Sequence, residues 1–259
     1  MGRAKEIIVK VITSKIANSF VKKQHYSGKV VPNSTLHFGC FLDKRLHGVM
    51  SFGPSINKKG TINLVEGTGW NEFIELNRMA FNDFLPKYSE SRCISVAMKL
   101  IKKNAPHIKW VISFADGTQC GDGTIYRASG FKLVGIAKNA GICKINGKIA
   151  HIKKTYDLGL TTSFLKKSDI PKLKERNIDV ELLEGYQLKY IYFIDKKMES
   201  NLTKPIIPFS YIDKEGAGMY KGEKITLKER KENKRLANTV MRWLFQVKEG
   251  VQFHHHALI

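Results

Sequence analysis

The sequence predicts a mixed α/β domain built on a central sheet flanked by helices, and three observations carry the prediction. Phe73–Phe81 (FIELNRMAF) reads as a strand, Ser89–Asn104 carries Ile94, Ala97, Met98 and Ile101 at helical spacing, and residues 110–115 (WVISFA) form a short apolar strand. Residues 125–129, closed by Gly130, form a short helix ahead of a strand at 131–135, so the centre alternates strand, helix, strand, helix, strand. The 259 residues are 42% hydrophobic and 10% aromatic, which excludes a disordered chain and suffices for a full core.

From the start of the chain, residues 6–13 (EIIVKVIT) are a β-branched run and predict a strand. Ser14 is the expected N-cap of a helix through Lys23, with Ile16, Phe20 and Val21 on its apolar face, giving way to His25-Tyr26-Ser27-Gly28. Leu36–Leu42 and residues 46–52 flank Asp43-Lys44-Arg45 and predict a hairpin. A Gly- and Asn-rich stretch covers 53–71. Beyond the centre, 143–145 and 148–150 flank Asn146-Gly147, a strong hairpin signal. Residues 168–177 predict a charged helix with Pro171 in its first turn, and 186–194 (YQLKYIYFI) a strand. Pro205 and Pro208 mark a linker, so the expected division is a domain over 1–200 and a basic, partly helical extension over 201–259, loosely attached from Met219.

Charge restricts the partners. Lys plus Arg number 44 against 23 acidic residues, a net +21; the first 65 residues alone carry +9, and a polyanion such as double-stranded DNA is the expected partner. No 18-residue apolar run exists, so no membrane is expected as a partner. Lys5, Glu6, Lys10 and Lys15 break up the start, which reads as neither a secretory signal nor a myristoylation site. Cys40, Cys93, Cys120 and Cys143 contain no C-x-x-C pair, which fits small buried residues in a reducing cytoplasm. His254-His255-His256 are adjacent and cannot easily face one ion from a single strand or helix.

Four groups of residues carry candidate chemistry. Asp116 ends an apolar strand ahead of a Gly-rich turn, where open α/β sheets place ligands; it is a general base or metal ligand, or an Asx-turn cap. His25 and Tyr26 follow a helix in a basic region, and the imidazole is a candidate acid/base partner of Asp116 or a solvent-facing helix end. Arg78 lies among Leu76, Met79 and Phe81, so its guanidinium either binds a phosphate or carboxylate in a cleft or pairs with an acid such as Glu75. Tyr186, Tyr190, Tyr192 and Phe193 alternate with Lys189; they stack on bases or fill the two faces of a strand.

Ile125-Tyr126-Arg127-Ala128-Ser129-Gly130-Phe131, after the 110–115 strand, resembles the closing motif of the acyl-CoA N-acyltransferase (GNAT-like) fold over residues 6–151. That resemblance implies acetyl-CoA or a related acyl donor as cofactor and Tyr126 as the proton donor to a leaving thiolate. The loop before the long helix, Lys87 to Ser95, holds no glycine, so phosphate contacts would come from Ser89, Ser91, Arg92 and Ser95. More of the chain, residues 10–195, resembles the Mom family of phage DNA-modification proteins through His25-Tyr26-Ser27-Gly28, Glu75-Leu76-Asn77-Arg78, Ser113 to Asp116, 125–131 and 185–193. The resemblance implies a transferase that places a carbamoylmethyl group on adenine N6 in DNA and so protects it from restriction in the host-cell cytoplasm. It implies Asp116, His25, Tyr26 and Tyr126 as catalytic residues, Arg78 as a donor-binding residue, and iron as a metal held by His25 and Asp116. The oligomeric state stays open, a homodimer included. A conventional acetyl-CoA-dependent N-acetyltransferase and a non-catalytic DNA-binding protein are the rival readings.

Overall fold

The computed structural model describes residues 2–117, 121–138, 142–151 and 167–217, with 219–220, 223–224, 229 and 232. Ten of its strands matter here: β1 (Ile8–Val11), β2 (Leu36–Leu42), β3 (Arg45–Gly53), β4 (Phe73–Phe81), β5 (Trp110–Asp116), β6 (Lys132–Lys138), β7 (Ile142–Ile145), β8 (Lys148–His151), β9 (Val180–Leu182) and β10 (Tyr186–Phe193). A seven-stranded sheet has the order β1-β2-β3-β4-β5-β10-β6, and β8-β7-β9 form a separate small sheet. Every neighbouring pair in the large sheet is antiparallel except β4 and β5. That parallel pair needs a crossover, which α3 (Ser89–Asn104) supplies.

The helices α1 (Ser14–Gln24), α2 (Lys58–Ile62) and α4 (Thr124–Ala128) complete the two layers. On one face α3 and α4 close the main core: Cys93, Ile94, Ala97, Met98, Ile101 and Tyr126 pack with Met50, Phe52, Leu76, Val111, Leu188 and Tyr190. On the other face α1 packs Ala17 and Val21 onto Val49 and Ala80, and the chain after α2 packs Leu64 and Val65 with Phe73, Trp110 and Ile191. The β2–β3 turn works because Asp43 and Lys44 both take left-handed φ, 50° and 62°, which matches the twist of the strands. Asn146 and Gly147 do the same between β7 and β8, at 47° and 74°.

Several local expectations shift. The first strand is only β1, because Arg3–Glu6 winds into a 3-10 turn. Thr13, not Ser14, caps α1, its hydroxyl accepting from the Ile16 amide at 3.5 Å. Ile16 is exposed while Ala17 and Val21 are buried, so the apolar face is rotated by one position. Tyr190 and Phe193 are buried in the two cores and cannot stack on nucleobases. Residues 202–217 hold Pro205 and Pro208, yet Ile212 and Ala217 belong to the main core, and the Ile207 amide donates to the Leu133 carbonyl at 2.8 Å. Cys120, the three consecutive histidines and most of the segment from Met219 lie outside the described residues.

Candidate active site where two parallel strands part

β4 and β5 are in register only from Phe73↔Trp110 to Glu75↔Ile112. Past that point each strand runs on without the other, which opens a wedge in the middle of the sheet. The Ser113 hydroxyl spans its apex, donating to the Leu76 carbonyl at 3.1 Å, and the Tyr126 phenol oxygen lies 2.9 Å from Ser113 Oγ. Ser113 has one proton. If that proton serves Leu76, the phenol must donate to Ser113, so Tyr126 is held by a short relay. Tyr126 is buried against Phe131 and Tyr190, on the α3/α4 face of the sheet.

The opposite face is polar. β4 carries a bulge: Ser51 pairs with Arg78 and Phe52 with Leu76, and Asn77 is the extra residue. Strict alternation would put Glu75 and Arg78 on opposite faces. The bulge returns Arg78 to the face of Glu75, beneath the end of α1. Arg78 Nε donates to the Lys29 carbonyl at 3.1 Å and Nη1 to the Asn77 carbonyl at 2.9 Å, so the guanidinium pins the loop after α1 to the sheet. It forms no ion pair with Glu75 among the described residues. Glu75 is buried, and burial raises its pKa against the opposing pull of Ser55, Asn77, the Ile56 amide and Arg78. The Asn77 amide favours the Glu75 carboxylate from nearby, but its Nδ2 makes no close hydrogen bond; Oδ1 accepts from the Ser34 hydroxyl at 3.0 Å. His37 and Ser51 extend this row, Nδ1 to Oγ at 2.8 Å, with His37 Nε2 buried and unpartnered.

His25 closes α1 beside this row. Its Nδ1 accepts from the Ser27 backbone amide at 3.1 Å and lies 2.8 Å from Ser27 Oγ. A backbone N–H can only donate, so the neutral ring carries its proton on Nε2. Desolvation first, and the Arg78 charge second, push the imidazole pKa down to about 4. His25 is therefore neutral at pH 7 and offers an N–H outward rather than a lone pair. Tyr26 is 52% exposed with its ring 4.2 Å from that of His25. Asp116 ends β5 half-buried, in register with Gln187 of β10, where the next residue is tight: a Cβ on Gly117 would sit 2.9 Å from the Tyr186 carbonyl.

The expected phosphate contacts are otherwise occupied. Ser89, Ser91 and Ser95 hydroxyls donate to the Pro86, Tyr88 and Ser91 carbonyls at 2.5, 3.2 and 2.9 Å. Arg92 donates to the Ala4 and Lys5 carbonyls at 2.7 and 2.9 Å and ties α3 to the start of the chain. These side chains do not make a phosphate cradle for an acyl-CoA. Among the described residues no group of three His, Cys, Asp or Glu side chains gathers as a metal site, and the Nε2–H tautomer of His25 offers iron no lone pair there. The residues the sequence reading passed over are Glu75 as a buried acid, Asn77 as the bulge, and Ser113 as the anchor of Tyr126. The three polar residues Glu75, Asn77 and Arg78 within an apolar strand are a signal for a polar site there, but not for the bulge or for Ser113.

Residues 6–211, which include every one of these side chains, match the model of the Mom protein family. The chain belongs to the Mom family. It is 33% identical over 207 residues to methylcarbamoylase mom of Escherichia phage Mu, covering 77% of this chain and 80% of that relative. Among solved structures, an acetyltransferase of Bacillus subtilis in complex with CoA is 9% identical, covering 72% of this chain and 98% of its own, with a TM-score of 0.41. The ribosomal-protein-S18-alanine N-acetyltransferase of Escherichia coli is 8% identical, covering 73% and 94%, also with a TM-score of 0.41. No helix among the described residues is long and apolar enough to cross a membrane.

Proposed function

We propose that this chain, acting inside a host cell on double-stranded DNA, is a methylcarbamoylating transferase that places a carbamoylmethyl group on adenine N6. The observation that carries the reading is that the Mom match spans both sides of the strand divergence, from His25 and Arg78 to Asp116 and Tyr126. The net charge of +21 supplies the attraction to DNA.

The N6 lone pair of adenine is delocalised into the ring, so the amine needs its proton taken as the new N–C bond forms. In this reading the Asp116 carboxylate accepts that proton at the carboxyl end of β5. The Nε2–H of His25 donates a hydrogen bond to an acceptor on the extruded base. Burial first and the Arg78 charge second keep His25 neutral, and Arg78 holds the loop after α1 to the sheet. Tyr126 lies on the other side of the sheet, held through Ser113, and in this reading its phenol protonates the group released as the donor's bond to the carbamoylmethyl carbon breaks. No step here runs through an acyl-CoA or an iron ion, since neither finds its expected ligands among the described residues.

The test is chemical. Expression of the chain in a bacterial host, digestion of the DNA to nucleosides and mass spectrometry should show a deoxyadenosine heavier by the carbamoylmethyl group. Asp116→Ala should abolish it. Unmodified nucleosides with the unchanged chain, as a purely DNA-binding protein would leave them, overturn the assignment. So does tight binding of acetyl-CoA with acetyl transfer to a peptide.

A further inference from the structure

The loops on either side of α2 present an unusual surface. Ile56 is 79% exposed and Trp70 51% exposed. Lys58 Nζ stands 4.5 Å above the Trp70 ring and donates to Asn71 Oδ1 at 3.2 Å, and Lys59 follows it in the chain. Single exposed apolar side chains are common on protein surfaces, and what sets these two apart is the pair of lysines between them in the chain.

The surface is rigid rather than loose. Trp110 Nε1 donates to Thr68 Oγ1 at 3.0 Å, and Thr68 Oγ1 in turn donates to the Val65 carbonyl at 2.6 Å, which fixes the loop two residues before Trp70. Phe73 and Trp110 stack beneath it with centroids 4.4 Å apart and planes 7° from parallel. On the other loop, Asn57 caps α2 by accepting from the Gly60 amide at 3.2 Å, and Ser55 lies 3.3 Å from Thr61 across the buried hydroxyls. Ile56 thus projects from a pinned backbone directly between buried Ser55 and the cap residue Asn57.

We propose that Ile56 and Trp70, with Lys58 and Lys59 beside them, form a DNA-opening edge: Ile56 enters the base stack, Trp70 stacks on an exposed base, and the two lysines bind the flanking phosphates. This rests on the reading that the substrate is adenine within a duplex, where N6 is paired and stacked and the base must leave the helix. An apolar wedge inserted at a base step is a known way to offset the loss of stacking, and an aromatic face accepts any base. Charge selects DNA over an apolar protein partner: the first 65 residues carry thirteen charged side chains, eleven of them Lys or Arg. Position agrees as well, because the Ile56 amide is among the groups acting on Glu75, at the foot of the polar row.

The probe is an oligonucleotide duplex with 2-aminopurine replacing the target-strand adenines, whose fluorescence rises when the base unstacks. The unchanged chain should brighten it severalfold. Ile56→Ser and Trp70→Ala should each remove at least four-fifths of that rise while duplex affinity falls less than about threefold, and Trp70→Phe should restore most of it. Lys58→Ala with Lys59→Ala should instead weaken binding and lower the slope of log K against log salt by about two. In cells, both apolar variants should cut deoxyadenosine modification at least tenfold. Absence of brightening by the unchanged chain overturns the inference, as do variants that brighten and modify like it. A Trp70→Ala change in sedimenting mass with an unchanged fluorescence response would make the surface an interface between copies and equally overturn it. Failure of the unchanged chain to modify adenine at all, with brightening intact, would count against the proposed reaction and not against this edge.

Discussion

The two faces of the sheet at the strand divergence are made by alternate residues of the same strands, yet they differ in kind. On the α3/α4 side, Ser113 and Tyr126 are buried in an apolar core with their hydroxyls spent on one another and on the Leu76 carbonyl. On the α1/α2 side, a few ångströms of backbone away, stand a buried acid, a guanidinium, a neutral imidazole and two unpartnered polar atoms, Asn77 Nδ2 and His37 Nε2. Dry, satisfied groups hold position. Unsatisfied and electrostatically stressed groups are where binding and proton transfer gain most, because the folded state alone does not satisfy them. Under the proposed function, the first face holds a phenol and the second meets the base.

The contrast breaks most severely at the tip of β5. Asp116→Asn keeps the shape and removes the proton acceptor, and a positioned general base contributes about 10²–10⁴-fold. The adduct measured by mass spectrometry in host DNA should fall at least 100-fold with melting temperature unchanged; a variant that retains a tenth of the signal would remove Asp116 from the chemistry. On the dry face the expected losses are smaller. Tyr126→Phe deletes the phenol proton and should lower the adduct about tenfold. Ser113→Ala leaves the buried Leu76 carbonyl without its donor, at a cost of about 1–3 kcal/mol in urea unfolding. If Ser113→Ala lowers activity without lowering stability, the relay serves the reaction and not the fold.

Much of this fold is legible in the sequence. The strands Phe73–Phe81 and the helix Ser89–Asn104 agree residue for residue, since apolar periodicity and the Pro86 break leave little choice. The left-handed turns follow from Asp43-Lys44-Arg45 and Asn146-Gly147. What the sequence hid was the bulge. Alternation along β4 assigns Glu75 and Arg78 to opposite faces, and nothing local announces that Asn77 drops out of register against β3. The tautomer of His25 was equally hidden, because it depends on where the Ser27 amide points. Ser89, Ser91, Arg92 and Ser95 had the right chemistry for phosphates, but each found a carbonyl within the fold, which only three-dimensional proximity reveals.

The polar face should also be visible in the pH dependence of stability. His25 binds its proton more weakly folded, at about 4, than unfolded, near 6.5. Above pH 6.5 both states are neutral and nothing is lost. Between 6.5 and 4 the unfolded chain takes up more protons, so stability falls as pH falls. The full shift corresponds to about 3 kcal/mol, and solvent screening at this half-buried site reduces it to about 1–2 kcal/mol. Urea midpoints at pH 7 and pH 4.5 should show that loss in the unchanged chain and a smaller one in His25→Gln. Arg78→Met should raise the His25 pKa in an NMR titration; if it leaves the pKa at about 4, burial alone holds the ring neutral.

The smallest effect concerns Glu75 and has the opposite sign. Burial raises the folded pKa of this carboxyl, so as pH rises past the unfolded value the unfolded chain releases its proton first and gains relative to the folded one. Stability is lost as pH climbs through the folded pKa, and the loss persists at pH 7. Just above pH 4.5 this slope runs against that of His25, so the unchanged chain shows a flatter profile than either group alone would give. Glu75→Gln keeps the hydrogen-bonding shape and removes the charge. It should therefore raise the urea midpoint at pH 7 by more than at pH 4, where the native carboxyl is already protonated. An equal gain at both pH values would mean that the amide simply packs better, and a loss at pH 7 would mean that Arg78 and the Ile56 amide favour the carboxylate more than burial opposes it. In the last case Glu75 would enter the reaction as an anion, and the polar face would hold a second proton acceptor beside Asp116.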